Sequence, residues 1–122
     1  MSLARAFLLQ PDILLMDEPF SALDAITREE MQDVFLGLWH EQHTTTLLVT
    51  HYVEEALYLG QKIVLMAANP GRIARVSDNP LSGSRERRSS QAFFEMSRTL
   101  REEIRTLRAQ DESDEQREEE RR

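Results

Sequence analysis

Apolar residues along the 122 positions fall into two patterns, short unbroken runs and helical stripes. The unbroken runs are Ile13-Leu14-Leu15-Met16, Leu47-Leu48-Val49 and Ile63-Val64-Leu65-Met66-Ala67. Runs this short, the first of them bounded by Pro11 and Pro19, read as strands, and that first one as a strand buried on both faces in a parallel sheet. The stripes read as helices. Leu3, Ala6, Phe7 and Leu9 mark the end of a helix that Pro11-Asp12 stops. Thr27-Arg28-Glu29-Glu30 is a Thr-x-x-Glu capping box, and Met31, Val34, Phe35, Leu38 and Trp39 give the helix it opens one core face as far as Gln42. Residues 52–59 read as a short helix beginning Val53-Glu54-Glu55-Ala56, with acids at the positive end of its dipole and Gly60 as terminator. Phe93, Phe94, Met96, Leu100, Ile104 and Leu107 recur at helical spacing and predict an amphipathic helix over 91–108.

Order along the chain adds topology. A strand at 13–17, a crossover helix and a second strand at 45–50 make a βαβ unit, and such crossovers are almost always right-handed, so the two strands run parallel. That arrangement brings His51 to the sheet edge that holds Asp17 and Glu18. A strand at 62–67, the turn Asn69-Pro70-Gly71 and an edge strand from Arg72 to Val76 form a hairpin. Residues 77–90 are rich in Ser, Arg, Pro and Gly and read as a surface linker. Within it Arg85, Arg87 and Arg88 read as a solvated basic trio ahead of an anion or lipid contact, and Arg5 as a solvated or structural arginine.

Composition limits the function. No cysteine is present, which excludes a disulfide scaffold, and no apolar run nears the ~18 residues that span a bilayer. Net charge is −7, and residues 111–122 alone hold seven acids against three arginines. Such a tail is too polar to fold by itself and reads as disordered or as a fraying helical extension. No basic, aromatic-interleaved surface is visible, which argues against nucleic acid as a partner. The amphipathic helix is expected to dock on the body of the protein, since Glu95, Glu102 and Glu103 spoil the basic face that a membrane-surface helix needs.

Candidate chemistry concentrates at residues 17 and 18. In open parallel sheets ligands sit beyond the carboxyl ends of the strands, so Asp17 and Glu18 are delivered to a ligand-binding edge. The first acid can hold a metal ion, and the second, pointing the other way, can address a water molecule. Taken singly, an Asp-Glu pair is usually surface and a His after a strand an ordinary loop residue. Their joint occurrence in this order is far rarer.

Asp17-Glu18-Pro19 followed by Ser21-Ala22-Leu23-Asp24 resembles the Walker B motif and D-loop of the ATP-binding-cassette (ABC) ATPases. Leu3-Ala4-Arg5-Ala6 is similar to the helix after that family's signature loop, and Thr50-His51 to its switch histidine. Asn69-Pro70-Gly71-Arg72-Ile73 and the amphipathic end resemble the importer ATPases serving nitrate, sulfonate and taurine. The resemblance implies an α/β fold, part of the RecA-like P-loop NTPase sheet with flanking helices, plus a C-terminal amphipathic helix. It implies Asp17 as the Mg²⁺ aspartate, Glu18 as the catalytic base, His51 as the γ-phosphate switch, and Ser21 and Asp24 as D-loop residues of a head-to-tail dimer. ATP and Mg²⁺ would be the cofactors of the complete domain. Transmembrane permease subunits and a second ATPase subunit would be its partners, at the cytoplasmic face of the cell membrane without insertion.

No Gly-x-x-x-x-Gly-Lys-Ser/Thr phosphate loop occurs in the sequence. With the signature loop also missing, the resemblance implies the C-terminal half of such an ATPase, begun within a helix, with Met1 an internal position. The expected layout is ATPase domain over 1–76, linker over 77–90, amphipathic helix over 91–110 and charged tail over 111–122. The isolated chain is then expected to be inactive. The alternative is a non-catalytic regulatory or interaction module derived from an ABC ATPase.

Overall fold

The computed structural model describes residues 3–68 and 71–122. The chain divides into two compact units, Met1–Leu59 and Gly60–Arg122. The expected turn residues Asn69 and Pro70 lie outside the described residues.

In the first unit, helix α1 (Leu3–Leu8) ends where Gln10 takes a left-handed φ of 48° ahead of Pro11. Phe7 is fully buried and meets the Phe35 ring edge-on at 5.8 Å. Burying such a side chain stabilises the fold by about 2 kcal/mol. Strands β1 (Ile13–Asp17) and β2 (Thr45–Val49) pair in parallel, with Ile13 opposite Thr45 and Asp17 opposite Val49.

Among the described residues the sheet has these two strands, and this corrects one expectation. β1 is not buried on both faces: Ile13 and Leu15 are 62% and 70% exposed, and Leu47 and Val49 of β2 are 54% and 50% exposed. Alternate side chains along a strand share a face, and here that face meets no covering layer among the described residues. The apolar run forms the strand, and its alternate residues are exposed.

Helix α2 (Ala25–Gln42) begins three residues earlier than the capping box suggested. Its N-cap is Asp24, whose carboxylate accepts from the Thr27 backbone N–H at 2.9 Å and from the Thr27 hydroxyl at 3.0 Å. Aspartate caps at least as well as threonine, so the earlier residue takes the position. The buried stripe is also rotated from the expected one. Gln32, Phe35 and Leu36 are buried whereas Val34 is exposed, because Gln32 donates to Glu55 Oε2 at 2.9 Å in helix α3 (Val53–Leu59). Tyr58 of α3 donates from its hydroxyl to Asp33 of α2. At its far end α2 closes on His43 in the left-handed region, and Trp39 donates its indole N–H to the Thr44 carbonyl at 2.9 Å.

The second unit is an antiparallel hairpin strapped by a helix. Strands β3 (Lys62–Ala67) and β4 (Arg72–Asp78) pair through a bulge at Leu65/Met66, and β4 runs two residues past the expected end. The stretch read as a surface linker is anchored at its start. Asn79 is buried: its side-chain amide donates to the Gly60 carbonyl at 2.7 Å and its backbone N–H to Gln61 at 2.8 Å. The basic trio forms a one-turn helix, α4 (Arg85–Arg88), capped by Ser84, and Arg87 donates to the Pro80 carbonyl.

Helix α5 (Gln91–Arg121) starts at the Ser90 cap and continues without a break across the boundary expected at 110. Contacts among the described residues hold it to the hairpin. Arg75 pairs with Glu103 at 2.9 Å, Arg72 with Asp111 at 3.7 Å, and the Ala68 backbone N–H donates to Asp111 at 3.2 Å. Asp111 is buried, so the first residue of the supposed tail is a tether. Beyond it, glutamate and arginine are good helix formers, which favours continuation over disorder. No helix among the described residues is long and apolar enough to cross a membrane.

Candidate functional site

The carboxyl ends of β1 and β2 lie side by side, and the residues that leave them meet. Asp17 closes β1 with an exposed carboxylate that no hydrogen bond or ion pair engages among the described residues. Glu18 adds one more rung, donating its backbone N–H to the Val49 carbonyl at 2.7 Å. It then turns the chain with a left-handed φ of 49°, a conformation uncommon for a residue with a Cβ. Backbone strain of this kind clusters at functional sites.

The Glu18 side chain reaches His51, two residues beyond the end of β2. Its Oε1 lies 2.7 Å from His51 Nδ1, with the glutamate one-third exposed and the histidine 59% exposed. With the proton on Nδ1 the imidazole donates to the carboxylate, and Nε2 is left available on the other side of the ring. Glu18 thus retains a second oxygen, so a water could share its charge while His51 orients it.

Ser21 and Asp24 lie on the exposed loop between β1 and α2, and both have local partners. The Ser21 hydroxyl donates to the Glu18 carbonyl at 3.1 Å, closing a turn around the strained residue. Asp24 spends its carboxylate on the α2 cap. The hydrogen bonds from the Thr27 backbone and hydroxyl hold its carboxyl below the usual aspartate range.

Two residues not singled out from the sequence tie this region together. Arg28, in the first turn of α2, donates from Nη2 to the Leu23 carbonyl at 2.8 Å and from Nε to the Phe20 carbonyl at 3.3 Å. Its guanidinium carbon lies 4.3 Å from the centre of the Tyr52 ring, and that ring stacks on His51 at 4.1 Å with a 35° tilt. Phe20 is buried and fixes the middle of the loop. A signal for Arg28 existed, since a cation in the first turn opposes the helix dipole and must find compensation elsewhere. Tyr52 carried none beyond its place next to His51.

No group of three side chains of metal-ligand type occurs among the described residues. Magnesium does not need one, because it keeps several waters and takes one or two carboxylates plus phosphate oxygens. The exposed, uncommitted carboxylate of Asp17 fits that role.

No family model matches the chain. Individual proteins do. The aliphatic sulfonates import ATP-binding protein SsuB of Bacillus thuringiensis subsp. konkukian is 47% identical over 95 residues, 78% of this chain and 38% of the relative. SsuB of Bacillus subtilis is 45% identical over 86 residues, covering 70% of this chain and 34% of the relative. The taurine import ATP-binding protein TauB of Roseobacter denitrificans is 56% identical over 72 residues, covering 59% of this chain and 27% of the relative. The chain therefore spans about a third of the length of the relatives it matches.

Proposed function

We propose that this chain, which is homologous over most of its length to the ATP-binding subunits of ABC importers, supplies the water-activating and metal-holding part of a transport-coupled ATPase site. The observation that carries the reading is the Glu18–His51 contact at 2.7 Å, at the carboxyl ends of two parallel strands and beside the uncommitted Asp17.

Hydrolysis of a phosphoanhydride needs a phosphate cradle, a metal and a group that positions the attacking water. Glu18 accepts a hydrogen bond from the water and takes its proton as the oxygen attacks the γ-phosphorus, the bond to the β–γ bridging oxygen breaks and ADP leaves with that oxygen. His51 holds Glu18 through Nδ1 and, with a proton on each ring nitrogen, donates from Nε2 to a γ-phosphate oxygen. Asp17 would hold Mg²⁺, which when bound neutralises charge on the phosphate oxygens. The cradle is not encoded here: the sequence has no phosphate loop, so the site works only when a P-loop segment completes the fold. Ser21 and Asp24 then face the second ATPase subunit of a head-to-tail dimer. Membrane permease subunits at the cytoplasmic face use the cycle to import a small solute of the nitrate, sulfonate or taurine kind.

The test joins this chain to the preceding part of a close relative that carries a phosphate loop. Glu18→Gln should slow ATP hydrolysis by about 100-fold or more, the usual worth of a general base, with nucleotide binding kept. Turnover within a few-fold of the parent would remove Glu18 from the role of base. The unextended chain should show no saturable Mg-ATP binding in calorimetry, and low-micromolar binding there would support a complete nucleotide site within it.

A further inference from the structure

The side chains that run from the loop after β1 to His51 form an unbroken set of contacts. Arg28 bridges the carbonyls of Phe20 and Leu23, so its guanidinium follows the path of the loop that presents Ser21 and Asp24. The same guanidinium lies over the Tyr52 ring, and its Nη2 is 3.5 Å from the Tyr52 hydroxyl. Tyr52 in turn covers one face of the His51 imidazole, and His51 holds Glu18. The base of Tyr52 is fixed separately, by its backbone N–H donating to the Thr50 hydroxyl at 3.1 Å. With that end held, the ring meets the Arg28 guanidinium and the His51 imidazole.

We propose that Arg28 and Tyr52 are a pair of positioning residues that couple the conformation of the 20–24 loop to the orientation of the His51 imidazole. The planar, five-donor guanidinium suits this role, because it forks to two carbonyls and stacks on an aromatic face at once, which an ammonium cannot do. Displacement of the loop drags the guanidinium, unstacks Tyr52 and releases His51 from the plane in which Nδ1 reaches Glu18. Coupling of this kind runs both ways: a change at Tyr52 must be felt in the loop.

The contacts are tested by NMR of this chain with labelled histidine. An aromatic ring stacked on His51 shifts the imidazole proton signals, and Tyr52→Leu supplies the unstacked reference. Arg28→Ala should move the His51 signals most of the way to that reference, and Arg28→Lys only part of the way. Reciprocally, Tyr52→Leu should shift the backbone amide signals of Ser21, Ala22 and Leu23, while Tyr52→Phe, which keeps the ring, should leave them near the parent. A simple loss of stability would broaden or shift signals across α2 and α3 instead. If Arg28→Ala fails to fold, the Tyr52 pair still decides: unshifted loop amides in Tyr52→Leu overturn the coupling.

The catalytic consequence rests on the proposed ATPase reading and is measured in the extended chain. Arg28→Ala should lower kcat by about tenfold while KM for ATP stays close to the parent value. Coupled NMR shifts alongside a Glu18→Gln variant of normal turnover would remove Glu18 from the role of base and leave the coupling standing, and an extended chain with no ATP hydrolysis at all would sink the ATPase reading. A normal kcat in Arg28→Ala, with Glu18→Gln inactive, would overturn the positioning role instead.

Discussion

Gln32 and Glu55 meet at 2.9 Å where both side chains are buried, so the α2–α3 packing of the first unit contains a fully buried polar bond beside the partly buried one from Tyr58 to Asp33. Leaving a buried carboxylate without its donor costs more than the bond itself contributes. Gln32→Leu should therefore destabilise the chain by about 2 kcal/mol despite adding apolar surface. Urea unfolding followed by circular dichroism measures it, and an unchanged midpoint would mean that water replaces the amide at Glu55.

Asp24 links helix capping to pH. Its carboxyl titrates lower in the folded chain than the ordinary value of 3.8, chiefly through the Thr27 backbone N–H. A lowered folded value gives stability that is present above the ordinary value and lost as pH falls through the folded one. Asp24→Asn keeps a capping oxygen but not the charge. The difference in thermal midpoint between parent and Asp24→Asn should be steady near neutral pH and shrink below the ordinary carboxylate range; a difference that stays constant into acid would show that the charge adds nothing.

Asp17 and Glu18 are adjacent but should fail differently in the extended chain. Asp17→Asn should weaken Mg-dependent nucleotide binding, whereas His51→Ala should retain binding and lose turnover by roughly the 10²-fold typical of a displaced general base. Binding isotherms with and without Mg²⁺ separate the two. Equal metal dependence in parent and Asp17→Asn would move the metal elsewhere.

The open sheet face formed by Ile13, Leu15, Leu47 and Val49 should drive self-association of the chain as it stands. Leu15→Lys combined with Leu47→Lys should shift sedimentation toward monomer. Deleting 112–122, after the Asp111 tether, should shift it the other way, because those residues carry six of the acids that keep molecules apart. A parent that already sediments as a monomer would refute both statements.

The elements were largely legible because their causes are local. Unbroken apolar runs gave β1, β2 and β3, and the βαβ rule alone placed His51 beside Glu18. The departures come from choice among nearby alternatives, made locally at the α2 cap and elsewhere by contacts distant in sequence. Asp24 and Thr27 are both good caps, and the loop geometry selected the earlier one. Gln32 turned the buried stripe of α2 toward itself because Glu55 waited across the interface. Asp111 reads as tail in composition but binds Ala68 and Arg72, more than 30 residues earlier. Tyr52 was invisible for the same reason, since it belongs to no periodic pattern and acquires its role from Arg28 and His51, whereas Arg28 showed only as a cation in the first turn of a helix.

The left-handed φ of Glu18 sets stability against chemistry at a single position. Glycine would occupy that conformation without the steric cost of a Cβ, and such relief typically stabilises a fold by about 1 kcal/mol. A Glu18→Gly chain would then be sturdier and would have no carboxylate to offer water or His51. Mutational drift under selection for folding alone should erode this residue early, so its persistence among working descendants would itself record that the carboxylate is in use.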